Sequence, residues 1–210
     1  MSASLHVGVT TSPFERVVAD VAIAGFFQSE RPLRGAAGRA DWRLCGLVSD
    51  LLADGRLREK TGAAVLVPGA GRLAADRVML VGLGRRPRLD AARVHEASAA
   101  AIRRGILLGA RRLALAPPTG DAAVADHAGA LLRGAVHAVS EADAEVELSL
   151  VVAEREAVAL QRALQDALEA VPSPAVQLVP AGHAEGAPGG GLGFPGGQRP
   201  AARRPVSRAR

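Results

Sequence analysis

Residues 77–84 read RVMLVGLG, and no other stretch limits the possible folds as tightly. Val78, Met79, Leu80, Val81 and Leu83 are interrupted only by Gly82, and a Gly-x-Gly turn closes the run. A short aliphatic run of this kind predicts a strand buried on both faces, because each face needs apolar side chains. A helical pattern follows it, so the local unit is strand, tight turn, helix. Other stretches repeat this alternation and supply the layers that cover the strand.

Residues 20–27, DVAIAGFF, form the first strand candidate, and its apolar run places it centrally. Residues 28–38 are polar, with Pro32, Gly35 and Gly38, and read as a loop. Residues 41–54 read as one helix, since Leu44, Leu47, Val48, Leu51 and Leu52 make a single stripe. Asp41 is its expected N-cap, Gly55 its stop, and Trp42 its staple to the sheet. AAVLVP at 63–68 is the next strand, and the short link to residue 77 implies antiparallel pairing. Asp90 caps a helix over 91–108, with Val94, Ala101, Ile102 and Leu108 inward. A short strand at 113–116 ends at Pro117 and Pro118, and Asp121 caps a helix to about residue 139. Residues 145–152 alternate apolar and polar, which predicts a half-exposed strand at or near an edge. Residues 154–171 form a last amphipathic helix through Leu160, Leu164 and Leu168. The expected fold is α/β, a three-layer α/β/α sandwich with a central mixed sheet.

From residue 172 onward the pattern stops. Residues 172–210 are rich in Gly, Pro and Arg and bury too little apolar surface to offset chain entropy, so they read as a disordered tail. The division is 1–16 as an N-terminal extension, 17–171 as the domain and 172–210 as the tail. Most of the formal charge of +5 resides there: residues 180–210 hold five arginines and one acid, leaving 21 bases and 20 acids elsewhere. The lone cysteine, Cys45, excludes an internal disulfide and fits a reducing compartment. Without a signal-like start or a membrane-length apolar run, the expected location is the cytoplasm, with no membrane partner.

The order of motifs resembles a known family. The strand at 20–27, the Leu44–Leu52 stripe, REKTGAAVLVPG at 58–69, RVMLVGLGRR at 77–86 and LALAPP at 113–118 resemble the N-terminal domain of the leucyl aminopeptidases, or cytosol aminopeptidases. VLVGLG with a basic residue after it, following a turn that holds Lys60 and Gly62, is characteristic of that domain. The resemblance covers about residues 17–152. It implies a macro-domain-like fold and a domain that does no catalysis, but packs on a larger one and helps build hexamers. The larger domain of the family holds two divalent metals through a lysine, aspartates and a glutamate, including a segment resembling NTDAEGR. Nothing in these 210 residues matches that segment, and after residue 152 the tail offers Glu185 as its sole acid. Two-metal chemistry needs several converging carboxylates. The expectation is a chain without peptidase activity or cofactor of its own, acting in assembly or regulation through self-association or a catalytic aminopeptidase domain. A truncated or frame-shifted aminopeptidase gene is a variant of this reading.

Two readings from other classes stand beside it. Gly82 and Gly84, with Arg85 and Arg86 behind them, make a candidate phosphate or ligand loop, as in a nucleotide- or ADP-ribose-binding module. A lone Gly-x-Gly without the third glycine of the dinucleotide fingerprint is more readily a plain tight turn. Macro domains bind ADP-ribose and carry an Asn-containing segment after the first long strand, where this chain has GFFQSE. The second reading is a DNA-binding accessory protein, with Arg199, Arg203, Arg204, Arg208 and Arg210 as candidate phosphate contacts. Arg85, Arg86, Arg88, Arg103, Arg104, Arg111 and Arg112 offer a further basic patch, or else solvated faces. The five histidines are scattered along the chain and give no ligand pair at helical spacing, and Cys45 reads as a structural thiol.

Overall fold

The computed structural model describes residues 3–58, 60–86, 89–118, 122–170 and 176–179. Among these residues, seven strands form one sheet in the order β3-β4-β2-β5-β6-β1-β7. They are β1 (Ser4–Thr10), β2 (Val21–Phe26), β3 (Ala64–Pro68), β4 (Arg77–Gly82), β5 (Arg112–Leu115), β6 (Glu145–Val151) and β7 (Val176–Val179). Only β3 runs antiparallel, against β4; the other pairs are parallel. The helices are α1 (Gly35–Arg43), α2 (Leu47–Ala53), α3 (Ala91–Leu107), α4 (Ala128–Ala142) and α5 (Glu154–Ala170). The expected three-layer mixed α/β sandwich is therefore present.

Alternation along each strand divides the core into two layers. Val21, Ile23, Met79, Val81, Leu113 and Leu115 face α3, α4 and α5, with Ile102, Leu131, Leu160 and Leu164. Ala22, Ala24, Phe26, Val78, Leu80 and Ala114 face the other way, toward Phe14, Ala40, Val48 and Leu52. This is why β4 is apolar throughout: both of its faces are covered. Asp90 caps α3 as expected, its Oδ1 accepting from the Arg93 N–H at 2.9 Å. Leu108, expected inward, lies just past α3 and is exposed.

Several expectations are corrected. The N-terminal extension at 1–16 is not separate from the domain, because Ser4–Thr10 forms β1 inside the sheet, between β6 and β7. Its Leu5, Val7 and Val9 are buried, while His6 and Gly8 on the other face are only partly covered. β6 is not an edge strand; it lies between β5 and β1. Its alternation has another cause. α1 and α2 cover only the β3-β4-β2-β5 half of their face, so Glu145 and Glu147 point to solvent. Part of the tail is ordered as β7, while the rest of 172–210, like Asp121, lies outside the described residues.

The helix expected over 41–54 is two helices broken at Leu44–Gly46, and α1 begins inside the expected loop. Cys45 and Gly46 take left-handed conformations, φ 57° and 83°, which turn the chain. Asp41 still caps, but from within α1. Its Oδ1 accepts from the N–H groups of Val48 (2.8 Å) and Ser49 (3.1 Å), and its Oδ2 from the Ser49 hydroxyl. It thereby satisfies the free amides at the start of α2. Trp42 staples nothing to the sheet; it is 75% exposed beneath the Arg43 guanidinium.

At the amino ends of the strands, Asp20 fastens β2 to β5. It accepts from the backbone N–H groups of Arg111 and Arg112 and from the Arg112 guanidinium, each near 3 Å. Burial pushes its carboxyl upward, but these hydrogen bonds and the Arg112 charge outweigh that and hold it below the ordinary 3.8. A lowered folded pKa contributes stability that is complete above the unfolded value and lost as pH falls through the folded one. Asp20→Asn should therefore be less stable than wild type above pH 3.8, with the gap closing below it, as read by urea denaturation across pH. Leu5→Ala should cost about 2–5 kcal/mol in the same assay, the range for emptying a core leucine site; no change would mean that β1 is not part of the core.

Candidate functional site

In a sheet of parallel strands with helices on both faces, ligand clefts form outside the carboxyl ends, where successive crossovers part to opposite faces. That point lies here around β2. The chain leaves β2 by way of α1 and α2 on one face to reach β4, then returns over the other face through α3 to β5. A crevice opens there in two lobes that share Ala36, Ala116 and Pro117. The larger, about 510 Å³, lies between Thr11–Pro13, Arg39 of α1 and Val152–Glu156 at the start of α5. The smaller, about 130 Å³, lies beside Gly25, Phe27, Glu30, Arg34, Leu83 and Arg86.

The structure brings the candidate loop to the smaller lobe, though not all of its residues face a ligand. Gly82 is the last residue of β4. Its N–H donates to the Ala63 carbonyl at 2.7 Å, and its carbonyl accepts from the Gly62 N–H at 2.8 Å. A methyl group on Gly82 would overlap the Lys60 carbonyl oxygen, so glycine is required for this close approach. Gly84 has φ +70°, and a Cβ there would meet the Thr61 hydroxyl. Both glycines thus serve the turn against residues 60–63. Arg85 is exposed. Arg86 turns inward: its Nη2 donates to Glu30 Oε1 at 2.6 Å, and its guanidinium lies 4.4 Å from the Phe27 ring centroid. The Glu30 side chain is only 11% exposed. Across the crevice, Arg39 pairs with Glu15 at 3.4 Å. The lining therefore carries Glu15, Glu30 and Glu156 against Arg34, Arg39 and Arg86, a balanced set.

The arginines of the domain do not form one patch. Arg111 and Arg112 sit at the amino ends of the strands, paired with Glu145 and Asp20, whereas Arg86 is at the carboxyl ends. Arg103 pairs with Glu141, and Arg104 donates to the Gly62 carbonyl at 2.9 Å. Arg88, Arg199, Arg203, Arg204, Arg208 and Arg210 lie outside the described residues. Cys45 is exposed and receives a contact from the Arg72 guanidinium. Among the described residues, no three His, Cys, Asp or Glu side chains converge as a metal site would require, and no helix is long and apolar enough to cross a membrane. Sequence spacing misses one pairing: His95 of α3 and His137 of α4 meet with ring centroids 5.9 Å apart.

Residues 23–144, more than half of the chain, match the N-terminal domain of the cytosol aminopeptidase family. The chain belongs to that family. A probable cytosol aminopeptidase of Sulfurihydrogenibium sp. is 28% identical over 86 residues, 41% of this chain and 17% of the relative. One of Alkaliphilus oremlandii is 21% identical over 111 residues, 53% and 22% respectively. The matched segments thus span less than a quarter of those relatives' length. Among solved structures, the Oceanobacillus iheyensis macrodomain with ADP superposes with a TM-score of 0.59 at 13% identity, over 76% of this chain and 90% of that one. At such identity the likeness concerns the fold, and the fold is macrodomain-like.

Glu30 and Arg86 set the stability of the smaller lobe. Arg86→Ala should cost about 1–3 kcal/mol, because it strands a sheltered carboxylate. Glu30→Gln should cost less, since a neutral amide needs no counter-charge. Thermal unfolding of the two variants checks this order.

Proposed function

We propose that this chain is a non-catalytic module of the cytosol aminopeptidase family, acting in assembly or regulation of an aminopeptidase. The observation that carries the reading is which part of the family is matched: the N-terminal domain, over residues 23–144. The crevice supports it. Four of its charged groups pair with one another, Glu15 with Arg39 and Glu30 with Arg86, and Gly25 is covered by the Leu83 side chain, so that a Cβ on Gly25 would lie 2.5 Å from Leu83 Cδ1. The activity of the family needs carboxylates gathered on two metals, and in this reading a catalytic aminopeptidase domain supplies them. Mixed with a separately purified catalytic aminopeptidase domain, it should form a complex of fixed stoichiometry in analytical ultracentrifugation, or sediment alone as an oligomer. A strict monomer that ignores the catalytic domain would refute the role. With manganese or zinc it should leave leucine p-nitroanilide uncut; chelator-sensitive turnover would overturn the non-catalytic reading.

A second reading is favoured by the larger lobe of the crevice. Its volume of about 510 Å³ lies within the ~300–1,000 Å³ of small-molecule sites, and the similar Oceanobacillus macrodomain has been solved with ADP. A diphosphate reaching the smaller lobe would have to part Arg86 from Glu30, and Glu154 and Glu156 in the first turn of α5 repel anions at that helix start. Calorimetry with ADP-ribose should give no saturable heat at millimolar concentration. Saturable binding would replace assembly by ligand recognition.

A further inference from the structure

A separate cavity of about 240 Å³ opens on the outer side of the α3–α4–α5 layer, away from the carboxyl-end crevice. Its walls are Leu132 and Val136 of α4 and Ala167 and Leu168 of α5, with Gly129 beside Ala167. These are apolar groups, and three polar groups meet them at one side. Arg133 and His137 come from α4, one turn apart, and His95 reaches across from α3. The His95 and His137 rings pack edge to face. His95 Nδ1 is sheltered from solvent and has no hydrogen-bond partner. The Arg133 guanidinium folds back over Gly129, where a Cβ would lie 3.1 Å from Nη1. Glu141 stands 3.6 Å from His137 Nε2 and is also engaged by Arg103 at 3.4 Å.

An apolar chamber with a permanent cation and two imidazoles at one side fits a ligand with an apolar body and an anionic end. A metal ion does not fit, since among the described residues no third donor converges on the two imidazoles, and the guanidinium repels a cation. The volume is below the ~300 Å³ at which drug-sized sites begin. It suits a single ring or a short branched chain and excludes a nucleotide. We infer that this cavity binds a small apolar carboxylate, with Arg133 and the imidazoles holding the carboxylate and Leu132, Val136, Ala167 and Leu168 enclosing the body.

Benzoate is a suitable probe, with benzyl alcohol as its uncharged counterpart. Titrated into the full ¹⁵N-labelled chain, benzoate should shift the amides of Gly129 and Leu132 and the ring signals of His95 and His137 in a saturable way. Benzyl alcohol should bind about tenfold more weakly, the weight of one charge-assisted hydrogen bond. Arg133→Gln, a substitution at an exposed site, should weaken benzoate by a similar factor without moving the thermal midpoint. Ala167→Leu should abolish binding by filling the chamber, and if that variant fails to fold, Arg133→Gln decides. No saturable shift, equal binding of the alcohol, or undiminished benzoate binding by Arg133→Gln would overturn the assignment.

Discussion

The carboxyl edge of the sheet depends on how closely Gly82 passes the turn at residues 60–63. Both of its backbone groups are bonded to that turn, and there is no room for a side chain between them. This contact fixes where β4 ends and so where the next residues point. Leu83 then lies over Gly25, its N–H donating to the Phe26 carbonyl at 2.9 Å. Gly84 turns back so that its carbonyl accepts from Gln28, and Arg86 arrives over Phe27 with Glu30 in reach. A loop that could have presented amides to a phosphate instead closes one end of the crevice with its own side chains. The same residues that identify the family therefore work as a fastening between β2, β3 and β4.

Much of this was legible in the chain because the signals were local. β4 was plain from its unbroken apolar run, α3 from its period and Asp90, and the antiparallel β3 from its short link. β1 was missed for a physical reason. With one face covered, a strand needs apolar residues only at alternate positions, and SLHVGVT spends the others on His6 and Gly8. β6 was recognised but misplaced for the same reason: alternation reports an open face, and a strand in the middle of a sheet can have one. The uncovered half of the α1–α2 face is a property of layer size, which no local window contains.

The break between α1 and α2 shows another limit of periodicity. Leu44, Val48 and Leu52 do share one buried layer, as their spacing implies. They reach it from two helices joined by left-handed residues. Asp41 looked like the start of a helix because its carboxylate does cap one, seven residues ahead rather than two or three. The candidate site was legible only as a set of residue types. Pairing of Arg86 with Glu30, across more than fifty residues, and of His95 with His137, across more than forty, arises from topology.

The scarcity of aromatic residues links the core to the outer cavity. A core made of Ala, Val, Leu and Ile lets helices approach closely where glycine or alanine faces a neighbour. Gly134 of α4 packs against the backbone of α3 near His95 and Ala99, and Gly105 of α3 packs on Leu113 of β5. Such close packing brings the outward residues of α3 and α4 together as well, which is how His95 and His137 come into contact. α5 completes the layer with small Ala167 opposite Gly129, and small groups on both sides cannot fill the space between them. The cavity is thus a consequence of the same small-residue packing that draws α3 and α4 together, and its polar side is set by the few long residues that packing leaves at the surface.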